Sequence, residues 1–135
     1  MPKPPVPPSI DAFLAKPNAS VMATVRPDGQ PVSVATWYLW DNGRILLNLD
    51  GARKRLEHLR KDPRVSLTIF PENWYAHVSL QGHVVEILED TDLADVDRVS
   101  RLYTGNPYPT RDRERFSAWV DVDWYHVWGD LPAGG

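Results

Sequence analysis

ASVMATVRPDGQPVSVATWYLWDNGRILLNL, residues 19–49, reads as three strands separated by two tight turns. Val21, Ala23 and Val25 recur with the period of a strand that buries one face, which predicts a first strand over residues 19–26. Pro27-Asp28-Gly29-Gln30 follows as a turn, in which proline presets one backbone dihedral and glycine supplies the positive one. A second strand is expected over residues 31–40, then the turn Asp41-Asn42-Gly43. A third strand over residues 44–49 puts Ile45, Leu47 and Leu49 on one side. Two successive hairpins imply an antiparallel meander.

Working outward, Ser9 is placed to cap a short helix whose Ile10, Phe13 and Leu14 share a face, and Pro17 ends it. Downstream, Asp50 is expected to open a helix of about ten residues that stops before Pro63. Residues 64–70 form a fourth strand and residues 74–88 a long fifth, bent or bulged at Gly82. Thr91 is expected to cap a helix with Leu93, Val96, Val99 and Leu102 along one side, and residues 117–128 form the sixth strand. The expected fold class is mainly β with connecting helices, a six-stranded antiparallel barrel. Residues 1–8, with five prolines, read as a flexible extended tail, residues 9–129 as the domain, and residues 130–135 as a flexible end.

Composition narrows the function. The chain has 135 residues, enough for one domain. A net charge of −3 argues against a general nucleic-acid binder, which needs a basic surface. No apolar run approaches the roughly 20 residues that cross a bilayer, so no membrane insertion is expected. There is no cysteine, which excludes disulfide and thiolate chemistry and suits a cytoplasmic location. His58, His77, His83 and His126 lack metal-ligand spacing, so no metal site is expected.

Chemistry concentrates at Asp50-Gly51-Ala52-Arg53-Lys54-Arg55. Three cations at the start of a helix sit against the positive end of its dipole and beside unpaired N–H groups, an arrangement that a bound phosphate would relieve. A solvated basic face, with Asp50 and Glu57 as local partners, explains the same residues. Six tryptophans and five tyrosines are many for this length, and Trp37, Tyr38, Trp40, Trp74 and Tyr75 could wall a planar ring or simply pack a small barrel.

Several segments resemble the pyridoxamine 5′-phosphate oxidase-like split β-barrel superfamily, and within it the branch of deazaflavin-dependent oxidoreductases that use coenzyme F420. They are residues 23–31 (ATVRPDGQP), Trp37-Tyr38, Arg53-Lys54-Arg55 running on through residues 59–67 (LRKDPRVSL), residues 78–84 (VSLQGHV), and Tyr103-Thr104-Gly105 with Pro107-Tyr108. The resemblance spans roughly residues 10–129. It implies a split barrel of the FMN-binding kind, a homodimer, and a cofactor in a groove between subunits. It further implies phosphate contacts from Arg53, Lys54 and Arg55, a ring beside Gln30, Pro31, Val32 and Ser33, and Asn48 and Asp50 near the linker and phosphate. Many relatives carry Lys and then Arg-Asn-Leu where this chain has Arg55 and then Glu57-His58-Leu59, which leaves open which cation is central. The implied activity is hydride transfer from reduced F420 to a conjugated small molecule, quinone- or biliverdin-like. The alternatives are an FMN-binding flavin reductase or oxidase, a non-catalytic carrier of a cofactor or tetrapyrrole, and an interaction domain. No side chain is assigned as the catalytic acid.

Overall fold

The computed structural model describes residues 2–132. Its elements are α1 (Pro8–Leu14), β1 (Ala19–Val25), β2 (Pro31–Ala35), β3 (Leu39–Asp41), β4 (Arg44–Asp50), α2 (Lys54–Lys61), β5 (Arg64–Phe70), β6 (His77–Glu89), α3 (Ala94–Thr104) and β7 (Arg115–Trp128). All strands join one antiparallel sheet in the order β2-β1-β5-β6-β7-β4-β3. Ile45, Leu47 and Leu49 fill its concave side with Phe13, Leu14, Met22, Leu67, Ile69 and Leu80, all at most 1% exposed.

The mainly β barrel-like architecture is as expected, but there are seven strands where six were expected, and the sheet does not close. Residues 31–40 do not form one strand. β2 pairs only with β1 and β3 only with β4, so the chain crosses at residues 36–38 from one edge of the sheet to the other. No ladder can serve both edges, and the crossing is anchored by side-chain bonds instead. Tyr38 is fully buried; its hydroxyl donates to the Leu14 carbonyl at 2.7 Å and accepts from Asn18 Nδ2 at 2.9 Å, while that same amide donates to the Phe13 carbonyl. The expected meander is therefore two hairpins, β1–β2 and β3–β4, parted by the split.

The first strand also buries the opposite face from the one expected. Ser20, Met22 and Thr24 point inward, and Val21, Ala23 and Val25 are half-exposed. The two inward hydroxyls are satisfied: Ser20 Oγ donates to the Thr36 carbonyl, and Thr24 Oγ1 bonds His58 Nδ1 at 3.1 Å. Burial of a small polar group costs little once it is paired. The apolar set is left on the outer surface.

Helix starts differ from expectation because other residues take the cap positions. α1 begins at Pro8 with Pro7 as N-cap, a proline position that forfeits no helical hydrogen bond, and Ser9 lies inside the helix. α2 begins at Lys54, with Arg53 as N-cap and Asp50 three residues ahead of it. α3 is capped by Asp90 and Asp92 instead of Thr91. Asp90 accepts from the N–H groups of Asp95 and Val96, and Asp92 from that of Ala94. The Gly82 bulge is present, with a register shift between Gln81 and Gly82; a Cβ there would overlap the Asp121 carbonyl.

The proline-rich start is mostly exposed but lies against the barrel. The Pro2 carbonyl accepts from Tyr125 N at 3.0 Å, the Lys3 ammonium sits 4.7 Å from the Trp124 ring centroid, and Val6 packs on the core. Of the end expected to be flexible, residues 130–135, the first three are described, with Leu131 packed on the core, and residues 133–135 lie outside the described residues. Among the described residues, no helix is long and apolar enough to cross a membrane.

Candidate functional site

A cleft of about 670 Å³ opens where the sheet is split. One side is the crossing itself, Ala35, Thr36 and Trp37, with the start of β1; the far side is α3. The floor runs along the end of β4, through Asn48 and Asp50, to Arg53 and Arg55, with Arg115 from the start of β7. The volume is that of an ordinary small-molecule site.

Its two ends differ in chemistry. At the mouth, Trp37 stacks on Tyr103 with ring centroids 5.0 Å apart and planes at 10°, and Tyr108 meets Trp37 edge-on at 6.4 Å. The Tyr103 hydroxyl donates to the Asn18 carbonyl at 2.7 Å, and burial pushes its pKa up to about 12. Burial likewise raises the Tyr38 phenol. Both protons are committed to main-chain carbonyls. The Tyr108 hydroxyl has no hydrogen-bond partner among the described residues.

At the other end three guanidiniums converge. Arg55 is half-buried; desolvation, then the charge of Arg53, then that of Arg115, lower its pKa from the ordinary arginine value. Among the described residues, its side chain bonds only Met22 Sδ, at 3.6 Å. Among the described residues no carboxylate lies within ion-pair distance of Arg53, Arg55 or Arg115. The nearby Asp50 is taken: it accepts from Ala52 N at 2.9 Å and pairs with Arg113 at 2.6 Å, and these contacts hold its carboxyl below the usual range. Asp50 thus shapes the turn into α2 and is paired by Arg113; of the cluster it feels the charge of Arg115, without an ion pair to it.

Of the residues singled out in the sequence, Asn48, Asp50, Arg53 and Arg55 come together here. Lys54 does not. It points to the other side of α2, pairs with Glu57 at 3.5 Å, and borders a separate basic hollow with Arg26, Arg60 and Lys61. Gln30, Pro31, Val32 and Ser33 also lie outside the cleft, because β2 runs so that its far end, Ala35, reaches it; Pro31 borders a shallow hollow on the outer face instead. Arg115, Tyr103 and Asn18 were not assigned from sequence. Arg115 is brought in by the β4–β7 register, which sets it opposite Asp50, far away along the chain, and no local pattern reveals such a pairing.

Comparison with known proteins places this geometry. The family model for pyridoxamine 5′-phosphate oxidase matches residues 6–129, nearly the whole chain. The chain belongs to that family. A pyridoxine/pyridoxamine 5′-phosphate oxidase from Bacteroides fragilis is 31% identical over 111 residues, covering 81% of this chain and 44% of the relative. This family member thus spans less than half the length of the curated relatives it matches. Among solved structures, an F420 reductase superposes with a TM-score of 0.81 at 26% identity, over 90% of this chain and 98% of the other. A conserved hypothetical protein from Mycobacterium tuberculosis superposes with a TM-score of 0.72 at 25% identity, over 98% and 94% of the two chains. The split-barrel fold of this family is therefore shared, as the sequence resemblance implied.

Proposed function

We propose that this pyridoxamine 5′-phosphate oxidase family member is an F420H2-dependent reductase of conjugated small molecules, working as a homodimer. One observation carries the reading: a single cleft joins three guanidiniums without carboxylate partners to a stacked aromatic mouth. That donor set fits a planar ligand bearing a phosphate. Arg53 and Arg55 would hold the phosphate, and Trp37 and Tyr103 offer flat apolar surface to a ring system. The similarity to an F420 reductase over 98% of that protein's length supports the deazaflavin.

When bound, a reduced deazaflavin supplies hydride, so the chain's own task is orientation and exclusion of water. The Arg pair fixes one end of the ligand and the Trp37–Tyr103 stack limits the plane available at the other. Tyr38 and Tyr103 are held as neutral donors to carbonyls and take no part in proton transfer. A proton for the reduced acceptor comes from solvent or from the unpartnered Tyr108 hydroxyl.

The outer face of the sheet supports the homodimer. Reading across β2, β1, β5, β6 and β7, one row is Ala35, Val21, Thr68, Ser79 and His126, and the next is Ser33, Ala23, Ser66, Gln81 and Trp124. Neither row contains Lys, Arg, Asp or Glu. A solvated antiparallel face ordinarily carries charge, whereas a face that meets a second sheet does not.

FMN is the second reading, favoured by the likeness to oxidases of pyridoxine and pyridoxamine phosphates. Titrating the purified protein with F420 and with FMN, followed by tryptophan quenching, separates them. Micromolar binding preferring F420 is expected; preference for FMN would replace the deazaflavin, and binding of neither would remove the cofactor reading.

A further inference from the structure

We propose that Arg115 is a third anion-binding side chain of the cleft and that Asn48 is the residue that positions it, without touching the ligand. This rests on the phosphorylated-ligand reading above and assigns the inner shell of the same site.

The side chain of Asn48 is already spent. Both amide protons are used, Nδ2 donating to Asp90 Oδ2 and to Ser117 Oγ, each at 3.1 Å. Its Oδ1 accepts from Arg115 Nε at 2.7 Å, and its main-chain carbonyl accepts from Arg115 Nη2 at 3.3 Å. Asp90 in turn is buried at 6% exposure and holds the first turn of α3 through two N–H groups. A hydrogen-bonded chain therefore runs from the guanidinium through the amide to the helix that walls the cleft.

The choice of amide matters. The ladder sets Asn48 opposite Ser117 and Asp50 opposite Arg115, so the arginine leans diagonally back over position 48. A carboxylate at 48 would hold Arg115 equally well and cancel its charge. The neutral oxygen fixes the fork and leaves the charge available. The Tyr108 ring, 4.7 Å from the guanidinium carbon, braces it without neutralising it. Arg115 is thereby kept close enough to lower the pKa of Arg55. Three positive charges, two of them against one another and Arg115 fixed by neutral partners, outnumber the one carboxylate of the floor, Asp50, which Arg113 already pairs, and leave a net positive site for an anion.

The test is a double-mutant cycle on the full chain, reading F420 and FMN affinity by tryptophan quenching at fixed salt. Arg115→Ala is expected to weaken binding about tenfold, Asn48→Ala three- to fivefold, and the double variant no more than Arg115→Ala alone. Binding by Arg115→Ala within twofold of wild type would overturn the proposal, as would an Asn48→Ala loss that persists in the Arg115→Ala background. If Asn48→Ala does not fold, Arg115→Lys decides, since it keeps the charge but lacks the Nε–H that Asn48 holds. A loss of at least threefold is expected, and wild-type affinity refutes the positioning role. Inorganic pyrophosphate probes the anion site without the ring. Thermal stabilisation by pyrophosphate that survives in Arg115→Ala overturns the inference; stabilisation of wild type alone, with neither F420 nor FMN binding, sustains it and removes only the cofactor reading.

Discussion

Replacing Arg55 with methionine separates a functional charge from a structural one. Arg55 is half-desolvated and repelled by Arg53 and Arg115, and no carboxylate compensates it among the described residues. Methionine keeps an unbranched apolar side chain and removes the guanidinium, with its charge and its long bond to Met22 Sδ. Relief of a partly buried like-charge contact should return on the order of 0.5–1 kcal/mol to the ligand-free protein. In a domain of this size, that corresponds to a rise in Tm of about 1–4 °C. Affinity should move the other way. A charge-assisted bond from a half-buried guanidinium contributes about 1.5–3 kcal/mol, so F420 or FMN binding should fall by about ten- to a hundredfold. Lys54→Met is the matched comparison: exposed and paired with Glu57, it should change affinity less than about twofold. Differential scanning fluorimetry and tryptophan-quenching titration on the same preparations read both quantities. The reasoning fails if Arg55→Met loses stability and affinity together, which would make Arg55 a packing residue, or if Lys54→Met weakens binding as much.

Other outcomes follow from the same structure. Gly82→Ala should cost at least about 2 kcal/mol in urea unfolding, because the new Cβ meets the Asp121 carbonyl at the bulge. Ser66→Arg puts charge into the middle of the uncharged outer row and should shift light scattering from dimer to monomer while leaving the secondary structure intact. Asp97 is held below the usual carboxylate range by Arg111 at 2.6 Å, so its contribution is complete above the unfolded value of about 4 and is lost as pH falls through the lower folded value. Asp97→Asn should therefore flatten that acid limb of the stability profile, and an unchanged limb would remove Arg111 as the cause. Tyr103→Phe removes a bond to the Asn18 carbonyl and should lower stability by about 1 kcal/mol with little effect on the pH dependence of any activity.

The hairpins were legible because their turns are local: Pro27–Gln30 combines a proline-preset dihedral with Gly29 at positive φ, Asp41–Gly43 places Asn42 and Gly43 there, and both turns are present. β5 was legible to the residue for the same reason, flanked by Pro63 and Pro71. The inward face of β1 was not. Hydrophobicity points to Val21, Ala23 and Val25, but Ser20 and Thr24 find partners in the Thr36 carbonyl and the buried His58, which lie far along the chain. Of the site, Arg53 and Arg55 were visible because a cluster of cations at a helix start is locally unfavourable. Lys54 belongs to the same cluster but projects elsewhere, which the helical rotation decides only once Arg53 is known to be the cap. Arg115 and Asn18 reach the cleft through contacts made far along the chain, and Asp90 supports it from behind through Asn48; nothing within a few residues of each announces it.

The break in the second strand links fold and site. A continuous strand over residues 31–40 would carry its ladder past Thr36 and Trp37 and leave no opening at that position. Instead β2 and β3 end as opposite edges, and Tyr38, tied to Leu14 and Asn18, plugs the interior where a ladder would have run. Trp37, the residue beside it, is turned out to 38% exposure and into a stack with Tyr103. One residue inward and the next outward is the ordinary alternation of extended chain, so the same two positions seal the barrel and build the mouth of the cleft. The aromatic pair Trp37-Tyr38, which in sequence looks like one feature, is thus two opposed ones. Substituting Tyr38 should cost stability and the cleft together, whereas substituting Trp37 should cost the cleft alone.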